Sequence, residues 1–286
     1  MEKNNDFAVF ILTHGRPDKV ITYQTLKKMN YNGNLYFIVD NEDKTIDKYI
    51  ENFGKENVIM FDKKQMADKI DEANNFDNRK VIVHARNACF DIAKSLGIKY
   101  FIQLDDDYTD FRYKLIIDDK ICNKPIKNIN NTFEYLLEYY KNTKALSIAF
   151  AQEGDFIGGI DNGNGIYRFS KRKCMNSFIC STDRYFNFIG SINEDVNTYT
   201  TLGSRGELFL TIPFVALTQK QTQSQGGGMT DVYKLSGTYV KSFITVMMQP
   251  SSVGVSMMRS SNPRLHHSIN WKITAPVIID DCNKKI

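Results

Sequence analysis

The sequence predicts an α/β fold with a mostly parallel central sheet flanked by helices. Three observations predict it. Short continuous apolar runs recur at 7–12 (FAVFIL), 34–39 (NLYFIV), 57–61 (NVIMF) and 100–104 (YFIQL), the pattern of strands buried on both faces. Stretches of helical character separate them, as crossovers between parallel strands require. Polar and charged residues stand directly after several runs, at the carboxyl edge where open α/β sheets bind ligands.

In order, residues 7–12 give the first strand, which His14-Gly15-Arg16-Pro17 interrupts, and 18–29 read as a helix. Residues 34–39 are the second strand, ending at Asp40; 44–53 are helical and 57–61 are the third strand. A short helix is expected over 66–73, then a polar stretch over 74–80. Residues 83–96 form a helix stopped by Gly97, and 100–104 form a strand running straight into Asp105, Asp106 and Asp107. The second half reads as a helix over 132–142, a strand over 145–151, glycines at 158, 159, 163 and 165, a helix following Glu194-Asp195, and a strand over 208–217. Residues 218–230 (TQKQTQSQGGGMT) are too polar and Gly-rich to bury themselves and read as a mobile loop or lid. With no repeat and no clean linker, the expectation is one domain over 1–286, with a ligand-binding half at 1–110 and a second functional half at 111–286.

Composition narrows the class. A chain of 286 residues, 42% hydrophobic and 24% charged, buries a large core and is not disordered throughout. No apolar run approaches the ~20 residues of a membrane span, and the polar N-terminus lacks a signal-peptide pattern. Five scattered cysteines without a C-x-x-C pair read as reduced thiols and point to a cytoplasmic protein. Net charge is +4, and its distribution is uneven. Residues 162–182 and 213–271 each carry a net +4, so the rest sums to −4. A basic second half fits an acidic partner, and equally a surface solvated by lysines.

The chemistry centres on Leu104-Asp105-Asp106-Asp107. Three carboxylates after a buried strand repel one another, and partial burial is costly without a cation. Asp105 and Asp107 suit a hard divalent ion that also binds phosphate oxygens; an exposed acidic turn has the same sequence. Asp40-Asn41 is good turn chemistry, and a carboxylate there also accepts hydrogen bonds from a base or ribose. Glu194-Asp195 either cap a helix or supply a general base. No Gly-x-Gly-x-x-Gly follows the first strand and no P-loop is present, which disfavours a dinucleotide enzyme and a P-loop NTPase.

The stretch 83–108 resembles the glycosyltransferase A (GT-A, Rossmann-like) fold, especially its family-2-like members, in which a helix opening Ala-Arg-Asn precedes a strand ending in Asp-x-Asp; here these are Ala85-Arg86-Asn87 and Asp105-Asp106-Asp107. The resemblance implies a nucleotide-sugar donor, UDP-linked by expectation, with Mn²⁺ or Mg²⁺ on its diphosphate held by Asp105 and Asp107. It places Asp106 near the donor ribose, Arg86 on the nucleotide or its phosphates, and Thr13, His14, Arg16 and Asp40 around the nucleoside. A late histidine joins the metal in some members, and His266 is the candidate here. Phe188-Ile189-Gly190 followed by Glu194-Asp195 is similar to the acceptor segment of inverting members, which makes Asp195 the expected base and Glu194 its rival.

His-Gly-Arg-Pro, the aspartate run, Glu194-Asp195 and the Gln/Gly-rich loop together resemble the phage-encoded TET-associated glycosyltransferases, whose proposed acceptors are hydroxymethylated pyrimidines in DNA. That resemblance implies a DNA acceptor and a host-cytoplasmic location. The segment 167–173 (YRFSKRK), with Arg168, Lys171, Arg172 and Lys173, interleaves aromatics and cations as a phosphate-backbone contact would. The base must be extruded to reach Asp195, and 220–230 and 259–267 are candidate wedges. Three alternatives stay open: the same chemistry on a glycan, protein or lipid-linked acceptor, a sugar-nucleotide pyrophosphorylase, and a non-catalytic nucleic-acid-binding module. Which sugar is moved and how many subunits assemble are not legible.

Overall fold

A computed structural model describes residues 6–70, 79–156, 159–160, 166, 168–220, 229–258 and 263–276. In chain order the elements are β1 (Phe7–Leu12), α1 (Ile21–Lys28), β2 (Asn34–Asp40), α2 (Ile46–Phe53), β3 (Val58–Phe61), α3 (Lys63–Ala67), α4 (Val83–Ser95), β4 (Tyr100–Asp105), β5 (Tyr108–Ile117), β6 (Lys120–Pro125), α5 (Ile129–Lys141), β7 (Ser147–Gln152), β8 (Phe178–Ser181), α6 (Glu194–Gly203), β9 (Phe209–Gln219), α7 (Met229–Met248), β10 (Val253–Met258), β11 (Arg264–Ile269) and α8 (Trp271–Thr274).

All six residues of β1 are buried, and their alternation explains why. Phe7, Val9 and Ile11 point into a core shared with Leu26 of α1, Tyr49 of α2 and Phe133 of α5. Ala8, Phe10 and Leu12 point into a second core with Ala88 and Phe90 of α4 and Val196 and Tyr199 of α6. A strand with period-two side chains and helices on both faces has no solvent side, which is why its sequence is a continuous apolar run.

The nine-stranded sheet runs β3-β2-β1-β4-β8-β7-β9-β5-β6. β1 pairs in parallel with β2 and β4, β2 with β3, and β7 with β9; β8 is antiparallel to β4 and β7, and β5 to β9 and β6. Seven strands therefore point one way, with β8 and β5 reversed, and the mostly parallel α/β expectation holds. A separate β10–β11 hairpin packs with α7.

Several second-half elements differ from the sequence reading. The aspartate run turns directly into the β5–β6 hairpin, whose turn residues Asp118 and Asp119 both have positive φ, 49° and 55°. β8, α7 and the β10–β11 hairpin were not expected either. α3 begins at Lys63 because Asp62 caps it, accepting the Gln65 N–H, so it precedes the expected 66–73. The lid expected at 218–230 lies outside the described residues over 221–228, as do Gly158, Gly163, Gly165, Tyr167, Arg259 and Cys282. Cys89, Cys122, Cys174 and Cys180 are free thiols. Among the described residues no helix is long and apolar enough to cross a membrane.

Candidate active site

Register brings the first set of residues together. Leu12 pairs with Asp105 on one side and Ile38 on the other, so Thr13, Asp40 and Asp106 emerge side by side at the carboxyl edge. The Thr13 hydroxyl donates to Asp106 Oδ2 at 2.8 Å, and Arg16 Nη1 donates to Oδ1 at 3.3 Å. The Tyr49 hydroxyl accepts the Arg16 N–H at 2.8 Å and lies 2.8 Å from Thr13 Oγ1. Asp40 Oδ2 lies 2.6 Å from His14 Nδ1 and 3.3 Å from Lys63 Nζ. Burial alone would raise the Asp40 pKa, but His14 and Lys63 outweigh it and hold the carboxyl below its usual value. Asp43 accepts the Gly15 N–H at 2.6 Å. No local sequence signal marks Asp43 in the loop before α2, Tyr49 on α2 or Lys63 at the start of α3.

The aspartate turn is strapped to α1. Thr22 donates through its hydroxyl to the Asp105 carbonyl at 2.5 Å and through its N–H to the Asp106 carbonyl at 3.1 Å. Burial, then Asp105 and Asp106, pushes Asp107 up to about 7; burial, opposed by Arg86, leaves Asp105 at about 6. Two half-buried carboxylates, raised chiefly by burial and further by neighbouring acids, are a donor set that a hard divalent cation would relieve, with phosphate oxygens or water completing its shell. Asp105 and Asp107 fit such an ion. The expected third ligand does not join them. Among the described residues no three His, Cys, Asp or Glu side chains are arranged to hold a metal. His266 sits instead on β11, its Nε2 3.2 Å from Lys173 Nζ.

Arg86 joins this edge to the second half. Its guanidinium is almost fully buried, donating from Nε to Glu194 Oε1 at 2.9 Å and from Nη2 to Asp105 Oδ1 at 3.0 Å. It stacks over Phe178 and Phe188, 5.0 and 5.7 Å from their centroids. Burial opposes its charge, but Asp105 and Glu194 more than offset that and raise its pKa. Next to it, Asn87 and Phe188 exchange two hydrogen bonds, 3.2 and 2.7 Å. Arg86 thus bridges two carboxylates within the protein, and its Nη1 has no hydrogen-bond partner there.

α6 begins at Glu194, after Asn193 in the left-handed region (φ 55°) and a turn at Gly190 (φ 79°). A Cβ on Gly190 would lie 2.6 Å from Asn197 Nδ2, the amide that bonds the Ile189 and Ile192 carbonyls. Gly190→Ala is expected to cost about 1–3 kcal/mol in strain and displaced bonds, read as a lowered urea midpoint. The Asp195 carboxylate accepts the Val196 N–H at 2.8 Å. Burial, then Glu194, pushes it up to about 7, against Arg86 and Lys173. Glu194 is spent on Arg86, whereas Asp195 faces Lys173 and Lys241.

The basic segment divides. Arg168 and Lys171 are exposed. Arg172 is buried, paired with Asp155 at 2.9 Å and donating to the Arg168 carbonyl at 3.1 Å; this buried ion pair turns it away from solvent, so it is not available to a DNA backbone. Lys173 points inward to His266.

The chain is a glycosyltransferase, as its family match shows, built on a helix-flanked α/β sheet whose aspartate turn beyond β4 is tied by Arg86 to Glu194 on a later helix. More narrowly, it belongs to the TET-Associated Glycosyltransferase family, whose model matches residues 7–228. Comparison with curated proteins gives no match. Among solved structures the chain is similar to glucosyl-3-phosphoglycerate synthase from Mycobacterium tuberculosis in complex with Mn²⁺, uridine diphosphate and phosphoglyceric acid (8% identity, 94% of this chain and 91% of that one, TM-score 0.45). It is also similar to S. aureus TarS 1–349 (12% identity, 80% and 63%, TM-score 0.40).

Proposed function

We propose that the protein is an inverting glycosyltransferase that moves a sugar from a nucleotide-sugar donor, UDP-linked by preference, to a hydroxymethylated pyrimidine in DNA. One observation carries the reading: Arg86 ties Asp105 at the sheet edge to Glu194, and so sets the Asp195 carboxylate beside the place where a donor diphosphate would sit. Thr13, Arg16, Asp40 and Asp106 hold the nucleoside, with His14 and Lys63 fixing Asp40 and Tyr49 fixing the loop. Asp105 and Asp107 are the residues to hold Mn²⁺ or Mg²⁺, which when bound stabilises negative charge on the departing diphosphate. The acceptor hydroxyl attacks the anomeric carbon from the face opposite the diphosphate. The new C–O bond forms as the bond to phosphate oxygen breaks, and the hydroxyl proton passes to Asp195. Glu194, already accepting from Arg86, is the positioning partner rather than the base.

Family membership supports the transfer chemistry. The exposed Arg168 and Lys171 and the basic second half favour a polyanionic acceptor. Mass spectrometry of hydroxymethylated DNA incubated with the protein, Mn²⁺ and a panel of nucleotide sugars tests the whole reading: one hexose mass is expected per modified base. Chelation should stop the transfer and added Mn²⁺ restore it; undiminished transfer in chelator would remove the metal, and no mass gain with any donor would remove the DNA acceptor.

A further inference from the structure

β9 breaks its ladder at one place. Phe150 of β7 pairs with Ile212, but the next residue, Ala151, pairs with Ala216, so Pro213, Phe214 and Val215 have no counterpart on β7. On its other side β9 meets β5 only from Val215 onward. Pro213 has no N–H to give a ladder, and a bulge re-aims the side chains it carries. Phe214 is thereby 41% exposed, the one exposed residue of an otherwise covered strand.

The ring has neighbours of two kinds. Its centroid lies 5.8 Å from that of half-buried Phe169, with the planes at 62°, and Phe169 stands in the chain between the exposed Arg168 and Lys171. Specific bonds hold this segment against the bulge. Thr211 donates its N–H to the Phe169 carbonyl at 2.8 Å and its hydroxyl to the Lys173 carbonyl at 2.7 Å. Arg172, anchored on Asp155 at 2.9 Å, donates to the Arg168 carbonyl at 3.1 Å. The buried cation of the basic run thus fixes the loop that displays the two exposed ones. Lys173, whose charge acts on Asp195, lies four residues after Phe169, at most about 14 Å of extended chain, a span of a few nucleotides.

We propose that Phe214, backed by Phe169 and flanked by Arg168 and Lys171, is a stacking platform for an unpaired base of single-stranded DNA. Cations beside an exposed ring match a polyanion that carries flat bases. Only an unpaired base has a face to offer, because a duplex keeps its bases stacked on one another. The inference rests on the reading of DNA as the acceptor and narrows it: the strand is single, or locally opened, next to the pyrimidine that receives the sugar.

Anisotropy of a labelled, unmodified oligopyrimidine strand mixed with the full chain tests the platform without donor or hydroxymethyl group. Phe214→Leu keeps an apolar side chain against Phe169 but offers no ring face, and it should weaken the wild-type Kd about tenfold, as loss of one stacked base does. Phe214→Trp should keep the wild-type Kd. A strand of the same length with abasic sugars should bind the wild type about tenfold more weakly or worse, and Phe214→Leu should discriminate less between the two strands. Arg168→Met and Lys171→Met should each flatten the slope of log Kd against log salt by about 0.7, one phosphate contact on a single strand. An unchanged Kd in Phe214→Leu overturns the platform, as does a wild type that binds the abasic strand or a duplex equally well. A Phe214→Leu loss of the same size on the abasic strand, as damage to the fold would give, overturns it too. A ring-dependent preference for the strand with bases, without sugar transfer to its hydroxymethylated form, upholds the platform and rejects DNA as the acceptor. Transfer to that form with no ring dependence rejects the platform and leaves the acceptor reading standing.

Discussion

Arg86→Met is expected to lower stability by about 3–5 kcal/mol and to abolish transfer, because it removes one partner from a buried ionic triad. Methionine fills most of the volume between Phe178 and Phe188, so the loss is not chiefly one of packing. It leaves Asp105 and Glu194 facing each other with no cation between them, where each now accepts a charge-assisted bond at 3.0 and 2.9 Å. Against the 5–15 kcal/mol typical of a domain this is a large fraction, and a urea melt reads it directly. Arg86→Lys is the informative companion. An ammonium keeps the charge but cannot present two N–H groups along separate vectors, so it should recover part of the stability while transfer stays depressed. Wild-type melting and turnover in Arg86→Met would end both the bridge argument and the placement of Asp195 that depends on it.

The same bridge explains why the site has parts that the sequence reveals and parts that it conceals. β1, β2 and β4 are legible to within a residue because strands covered on both faces must be continuously apolar. Asp105, Asp106 and Asp107 are legible because acids directly after such a strand are hard to account for otherwise. β5 was hidden because its buried residues, Tyr108, Phe111 and Lys114, fall at every third position and so lack the period-two alternation of a half-buried strand, and its hairpin turns on Asp118-Asp119 without a glycine. The role of Arg86 was hidden for a different reason. Its partner Glu194 lies 108 residues away, and no local spacing encodes a pairing made only when β8 inserts beside β4. Arg172 shows the converse error: a run of cations looks solvated until Asp155, brought close by the loop after β7, pairs with one of them. Lys241 fell within a stretch whose basic excess was visible, but its direction toward Asp195 depends on α7, which the sequence did not disclose.

Asp195→Asn is the second large effect, and it separates a base from a structural carboxylate. Asparagine keeps an oxygen to accept the Val196 N–H, so the start of α6 survives, but it cannot take a proton. Transfer should fall about 10²–10⁴-fold while donor binding is retained. The wild-type kcat/KM should rise with pH through about 7, where Asp195 ionises, and that limb should be missing from the residual activity of the variant. Stability gives an independent check. The folded-state pKa is raised from 3.8 to about 7, so the contribution of this group is fully present below about 4 and is lost as pH rises through about 7. At pH 8 the wild type carries a buried carboxylate charge that asparagine lacks, and Asp195→Asn should be the more stable protein; near pH 4 the difference should vanish. A variant less stable by the same amount at both pH values would show that Asp195 only holds the helix together, and turnover near wild type would move the proton acceptor elsewhere.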